Sequence, residues 1–355
     1  MTIDERLLAS VEQLRIPTDD QSSPLDWKDW YHFILMEPNR GVRVLVNLTL
    51  SGRPGGGEMQ LSLIVTLPRE RLTTRLPSEH PLATFGTAYP QRWEAGMVHR
   101  EPLQLRGRGV SLEINGKRLW VAVRDERAGV AIAFEAESEA TPLLVTEDSP
   151  FGSGFIGWGL VPGLRVVGEL SVGQESFVIH RDWFCYHDRN FGRFRWGEDI
   201  GWEWFVAFVT CTDGQTLTLV LDRRTNKDHS QWGLSYVFVY LGNQLRKIFL
   251  GATLQIDWGW SATAVLPMRL PGIMASVFAH RSLPMPESLQ VEAVDERDHL
   301  SVSVRFDSAM ELVVPDNRSR QYSFIEEVSG DVEVNFLLNG ERLCGRGLIY
   351  AEYVV

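Results

Sequence analysis

The 355-residue chain is short of positive charge, of cysteine and of continuous apolar sequence, and each shortage excludes a class of protein. Its 35 Lys and Arg face 46 Asp and Glu, a net charge of −11. Gripping a phosphate backbone takes a basic surface, so nucleic acid and other polyanions are set aside as partners. The three cysteines, Cys185, Cys211 and Cys344, lie far apart in apolar runs without a CxxC pair. They read as buried reduced thiols of a cytoplasmic protein. No stretch reaches the roughly 18 apolar residues of a membrane helix, so no transmembrane segment is expected. The opening MTIDERLLASVEQLRIP is acidic and amphipathic, unlike a secretory signal. There is no G-x-S-x-G nucleophile turn, and Gly152-Ser153-Gly154 lacks the strand-to-helix setting one needs. Gly55-Gly56-Gly57 lacks the lysine and the helix of a phosphate loop and reads as a hairpin loop.

What the chain has in quantity is short alternating strands. Beyond a helix signal at Asp4 to Leu14, β-rich runs fall at Arg43 to Leu50, Met59 to Leu67, Ser111 to Ile114, Arg118 to Arg124, Val130 to Glu135 and Leu164 to Leu170. The second half repeats the rhythm at Trp204 to Thr210, Thr216 to Asp222, Leu234 to Tyr240, Leu254 to Trp258, Leu289 to Ala293, Leu300 to Phe306, Val332 to Leu338 and Leu348 to Val354. Asn115-Gly116 and Asp213-Gly214 punctuate the runs as hairpin turns. The pattern predicts an all-β chain of sandwich or barrel type, and its length suggests about two domains at ~150 residues each. Asp29-Trp30-Tyr31-His32-Phe33 and Glu203-Trp204-Phe205 each open a β-run, and aromatic strands at Phe177 to Tyr186 and Leu348 to Tyr353 close each half. Two tandem β-domains meeting around residues 193–200 follow. The expected organisation is a helical extension over 1–20, a first domain over 21–196 and a second over 197–355.

Aromatic and ionisable residues alternate most densely in WFCYHDRNFGRFRWGEDIGWEW, from Trp183 to Trp204. In a strand, Tyr186 and Asp188 share a face. Among aromatics, desolvation disfavours the carboxylate, so Asp188 is expected to hold a proton with Tyr186 hydrogen-bonded to it. Alternatively, Asp188-Arg189-Asn190-Phe191-Gly192 forms a turn in which Asp and Asn bond to nearby backbone. Trp158, Trp183, Trp202 and Trp204 offer an apolar wall, or plain core packing. Glu203 and Glu326, each beside aromatics, are candidate pocket carboxylates, or structural partners of a cation as in an Arg189–Glu203 pair. His180, Asp182 and His187 do not share one strand face at ligand spacing, so no metal site is expected. His229 and His280 are isolated, and Arg100 to Arg108 reads as a solvated basic loop.

These residues resemble a known family. Asp29-Trp30-Tyr31 is similar to its EWWY-type opening, Tyr186-His187-Asp188-Arg189-Asn190-Phe191-Gly192 to its Y-x-D-H-N-W-G, and Glu203-Trp204-Phe205 with Asp213-Gly214 to its W-x-W-F…DG. Phe324-Ile325-Glu326 and Leu338-Asn339-Gly340…Gly345-Arg346-Gly347 are similar to its YWEG…NG…GxG ending. The family is the AttH-like and carotenoid 1,2-hydratase group, related to lipocalin-like Diels–Alderases of polyketide pathways. The resemblance implies two tandem lipocalin-like (calycin) β-barrel domains and a hydrophobic substrate pocket, with no organic cofactor and no metal. It makes Asp188, Tyr186, Glu203 and Glu326 the catalytic candidates. It places Tyr31, Asn190 and Phe191 with the four tryptophans at the substrate. The family's hydratases carry His-x-Trp ahead of the aspartate motif, whereas this chain reads Gly157-Trp158-Gly159 and has DRNFG for DHNWG. Weakened water activation favours cyclisation of a hydrophobic polyene, in the manner of a [4+2] addition. Hydration of an isoprenoid double bond and simple binding of a lipid or carotenoid are the alternatives.

Overall fold

Side chains that alternate with a period of two bury one face of a strand, and the computed structural model shows that pattern assembled into antiparallel sheet. The structure describes residues 4–17, 26–39, 41–53, 55–73, 80–94, 96–316 and 319–355. Contacts divide the chain into two compact units, one ending at Arg195 and the other starting at Trp196. The expected boundary between residues 20 and 21 lies outside the described residues.

In the first unit, α1 (Glu5–Glu12) is capped by Asp4, whose carboxylate accepts from the backbone N–H of Arg6 at 3.0 Å and Leu7 at 3.2 Å. The strands are β1 (Trp27–Met36), β2 (Arg43–Ser51), β3 (Gly57–Pro68), β4 (Leu82–Trp93), β5 (Val98–Arg100), β6 (Leu103–Gly107) and β7 (Val110–Asn115). They continue as β8 (Arg118–Asp125), β9 (Val130–Ser138), β10 (Leu143–Phe151), β11 (Gly154–Val161), β12 (Leu164–Val172), β13 (Glu175–Ile179) and β14 (Phe184–Arg193). One seven-stranded sheet runs β10-β11-β14-β1-β2-β3-β4 and the other β13-β12-β9-β8-β7-β6-β5. Tyr31, Phe33 and Leu63 of the first sheet and Val121, Ile132 and Phe134 of the second belong to a single core. α1 adds Leu8 and Val11 to it. The Asn115-Gly116 hairpin forms, with Gly116 at φ +58°, where a side chain would be strained.

The second unit holds β15 (Gly201–Cys211), β16 (Thr216–Thr225), β17 (Trp232–Leu241), β18 (Gln244–Leu250), β19 (Leu254–Trp260) and β20 (Arg269–Leu270). After α2 (Gly272–Val277) come β21 (Pro286–Asp295), β22 (Asp298–Pro315), β23 (Tyr322–Leu338) and β24 (Glu341–Val354). Nine of these strands form the order β18-β17-β16-β15-β24-β23-β22-β21-β19 around one core, while β20 pairs with β22. The chain is all-β as its alternation predicts, although neither unit's hydrogen-bonding order closes into a ring.

Three local expectations are corrected. Phe177 to Tyr186 is not one strand, because the chain turns at residues 180–183, where the Trp183 N–H bonds the His180 carbonyl. Arg100 to Arg108 is not a solvated loop, since it supplies the end of β5 and all of β6, and Arg100 donates to the Ile16 carbonyl at 2.7 Å. Asp188 to Gly192 is not a turn. It lies inside β14 because both neighbouring strands, β1 and β11, satisfy its backbone.

Candidate functional site

β14 is flanked by β11 and β1, so its two faces are fixed by pairing on both sides. One face carries Tyr186, Asp188 and Asn190, and the other Cys185, His187, Arg189 and Phe191. On the first face, Asp188 Oδ2 accepts from the Trp158 indole N–H at 3.1 Å and the Tyr186 hydroxyl at 2.9 Å. Its Oδ1 accepts from the Asn190 amide at 3.1 Å. Asp188, Tyr186 and Trp158 are all buried. The indole N–H can only donate, so Oδ2 acts as an acceptor there. Tyr186 is thus hydrogen-bonded to Asp188, on the strand face they were expected to share.

The sequence reading passed over His32, which lies directly across from Asp188 in β1. Burial, with a smaller contribution from His187, pushes its imidazole down to about 3, so it is neutral at ordinary pH. Alternation alone could not find it, because strand pairing is what brings residue 32 to residue 188.

The opposite face of β14 is an ion network that fastens α1. Arg189 is fully buried and pairs with Asp29, stacks on the Tyr31 ring at 3.6 Å and donates to the Glu12 carbonyl at 2.6 Å. His187 Nδ1 meets the His32 carbonyl at 2.9 Å, and its Nε2 meets Glu12 at 3.2 Å. Burial pushes the Glu12 carboxyl up, but His187 and Arg189 together hold it below its usual value. At Asp29 burial outweighs Arg189 and the value is raised. Tyr31 and Phe191 therefore lie away from Asp188, Phe191 packing under Arg15 at 4.5 Å. Trp183 belongs to the first unit's core. For the suggested Arg189–Glu203 pair, the partners found are internal to each unit: Asp29 and Glu12 for Arg189, and Arg223 and His229 for Glu203. His180 and Asp182 are exposed, and no group of three metal-ligating side chains occurs among the described residues.

In the second unit, Glu203 and Glu326 face inward, both opposite Tyr353. Glu203 Oε2 accepts from Arg223 Nε at 2.9 Å and the Trp258 indole at 2.8 Å, while Oε1 lies 2.9 Å from His229 Nδ1. His229 is thus not isolated. Its other nitrogen meets the Val354 carbonyl at 2.8 Å, so Glu203 sits at the hub of a structural network. Glu326 is pushed up to about 9, first by burial and then by Glu311, itself paired with Arg269 and Arg281.

The outward face of the same sheet carries a row of side chains that the sequence reading identified only in part. Asp222 on β16, Trp204 on β15, Glu352 on β24 and Glu327 on β23 are successive cross-strand partners, and all four are buried. Burial raises all three carboxyls: Asp222 upward, Glu352 to about 7, and Glu327 well above its usual value with Glu352 as the second cause. Trp202 donates its indole N–H to Glu352 at 2.7 Å. Glu327 Oε2 has no hydrogen-bond partner among the described residues. Two neighbouring carboxyls beside indoles, one near neutrality and one raised well above its usual value, can give and take a proton at pH 7. The run Phe324-Ile325-Glu326-Glu327 held the signal, but one step along a strand changes the face, and the outward glutamate is Glu327.

No family model and no curated protein sequence matches this chain. Solved structures do. A Nitrosomonas europaea protein designated AttH is similar over 96% of both chains, with 14% identity and a TM-score of 0.58. Kievitone hydratase from Nectria haematococca is similar over 97% of this chain and 94% of its own, with 9% identity and a TM-score of 0.57. CghA with Sch210972 covers the same shares, with 12% identity and a TM-score of 0.53. At such identities what is shared is the fold, and it extends across the whole of this chain.

Proposed function

We propose that this protein is an enzyme acting without an organic cofactor or metal on carbon–carbon double bonds of an elongated hydrophobic polyene, and that it cyclises that substrate. The observation that carries the reading is the buried row Asp222–Trp204–Glu352–Glu327. A neutral carboxyl can protonate an alkene or hydrogen-bond a carbonyl, and an indole face stabilises the positive charge that develops. Holding a flexible chain in a reactive fold removes further barrier, which is most of what a pericyclic closure needs. Asp188, oriented by Trp158, Tyr186 and Asn190, serves in this reading as a fixed anion and not as the proton source.

Hydration is the second reading, favoured by one observation. A carboxyl near pH 7, as at Glu352, suits proton transfer to an alkene and from water. The fold shared with kievitone hydratase is compatible with it. Product mass separates the two: purified protein given linear polyenes should return isomers of unchanged mass, whereas a hydratase adds the mass of water. Glu352→Gln and Glu327→Gln should each slow turnover by about 100- to 10,000-fold if proton transfer limits the rate. A panel of polyenes that bind and are released unchanged would leave a carrier and overturn the enzyme.

A further inference from the structure

Two deeply buried arginines show how this chain treats a guanidinium held away from water. Arg189 pairs with Asp29 and donates to the Glu12 carbonyl at 2.6 Å. Arg269 pairs with Glu311 and donates to the carbonyls of Phe278 at 2.8 Å and Arg281 at 2.6 Å. Arg224 on β16 is different. It is only 9% exposed, yet its buried Nη1 has no hydrogen-bond partner among the described residues. Its ionic neighbour is Asp222, whose Oδ2 lies 3.5 Å from Nε and likewise makes no hydrogen bond. Burial pushes that carboxyl up against the opposing pull of Arg224, which disfavours its charge. A buried cation served by one long contact is left with much of its desolvation cost uncompensated.

The position of Arg224 ties it to the row Asp222–Trp204–Glu352–Glu327. It lies two residues from Asp222 on the same strand, so both side chains share the outward face. Its cross-strand partner on β15 is Trp202, which donates its indole N–H to Glu352 at 2.7 Å. The guanidinium therefore stands at the β16 end of the row, beside Asp222. The strand order there is β16-β15-β24-β23, with neighbours about 4.8 Å apart. Glu352 is thus about 10 Å across the sheet from β16, and Glu327 about 14 Å.

We propose that Arg224 is a substrate-binding residue, and that the polyene acted on at this row ends in a carboxylate that supplies the hydrogen-bonded counterion Asp222 does not. The inference rests on the row being the site of the chemistry. A planar guanidinium can hold both oxygens of a carboxylate at once, which fixes direction as well as position. With the acid group held there, double bonds about 10 to 14 Å along the molecule meet Glu352 and Glu327, and those nearer the acid do not. The anchor selects both an elongated substrate and the bonds that react. The neighbouring carboxyls tolerate an incoming anion because burial disfavours charge on Asp222, Glu352 and Glu327 alike.

Fluorescence titration of the full-length protein with parinaric acid, a linear conjugated polyene acid, and with its methyl ester tests this. The two probes share the polyene and differ in the charge. Wild-type protein should bind the ionised acid about 10- to 100-fold more tightly than the ester. Arg224→Met, which keeps most of the packing of the arginine stem, should lose that preference while its ester affinity and circular dichroism stay those of the wild type. Equal wild-type affinity for acid and ester overturns the inference and leaves the polyene reading standing, and this comparison needs no variant to fold. An acid preference that survives in folded Arg224→Met places the carboxylate elsewhere and also overturns it. Wild-type protein that binds neither probe removes the polyene reading and the anchor together.

Discussion

Replacing Arg189 by methionine tests the arrangement at the centre of the first unit. The wild-type guanidinium, with no solvent exposure, pairs with Asp29 and donates to the carbonyls of Glu12 at 2.6 Å, Trp30 at 3.3 Å and Gln13 at 3.4 Å. Methionine preserves most of the packing against Tyr31 but leaves the Asp29 and Glu12 carboxyls buried without their cation. Breaking a buried pair by removing one partner costs about 3–5 kcal/mol, a large share of the roughly 5–15 kcal/mol that holds a typical domain together. With a urea m-value of about 1–3 kcal/mol per molar, the first unit's midpoint should fall by about 2 M. The sign with pH follows from the orphaned acids. Without Arg189 their folded-state values rise above the unfolded ones, so the folded variant binds extra protons and its deficit shrinks as pH falls from 7.5 toward 4.5. Urea unfolding followed by near-ultraviolet circular dichroism at both pH values reads this directly. Removing the stranded charges as well, in Arg189→Met/Asp29→Asn/Glu12→Gln, should recover much of the loss. A deficit below about 1 kcal/mol, or one equal at both pH values, would refute the reasoning and return Arg189 to a peripheral role.

Asp188→Asn should be destabilising by about 1–3 kcal/mol, because an amide cannot accept at both positions as Asp188 does and an NH₂ in place of Oδ2 would face the Trp158 indole N–H, which can only donate; thermal melts will show it. If Asp188 also works as an anion at the site, turnover per folded molecule falls too; unchanged turnover removes it from the chemistry. Glu326 is held up to about 9, so between its unfolded value and 9 the unfolded chain sheds a proton that the folded chain keeps. That group therefore costs stability as pH rises, by up to about 1.4 kcal/mol per unit, and Glu326→Gln should raise the melting temperature at pH 8 and hardly at all at pH 4. An equal gain at both would mean that relief of packing, not of charge, is responsible. Because Glu352 is held at about 7, the wild-type rate should change slope near neutrality, and Glu352→Gln should flatten the profile.

Period-two alternation, turn dipeptides and the opening amphipathic segment determined the all-β class, most of the strands and α1, because these depend on what each residue does with its immediate neighbours. The same local rule placed Tyr186 with Asp188, since residues two apart on a strand must share a face. It could not say that Asp188 would find Trp158 across one neighbouring strand and His32 across the other, thirty and more residues away. Nor could it distinguish Glu326 from Glu327, because which face of β23 looks inward is set by how Val328, Val332 and Val334 pack into the second core. Arg189 shows the same division. Its sequence neighbours suggested a partner at Glu203, but the partners it has, Asp29 on β1 and Glu12 on α1, were supplied by long-range register and by a helix folding back over the sheet. Alternation is a property of adjacent residues and survives in the sequence; buried charge is satisfied only by whatever the tertiary fold brings within hydrogen-bonding distance.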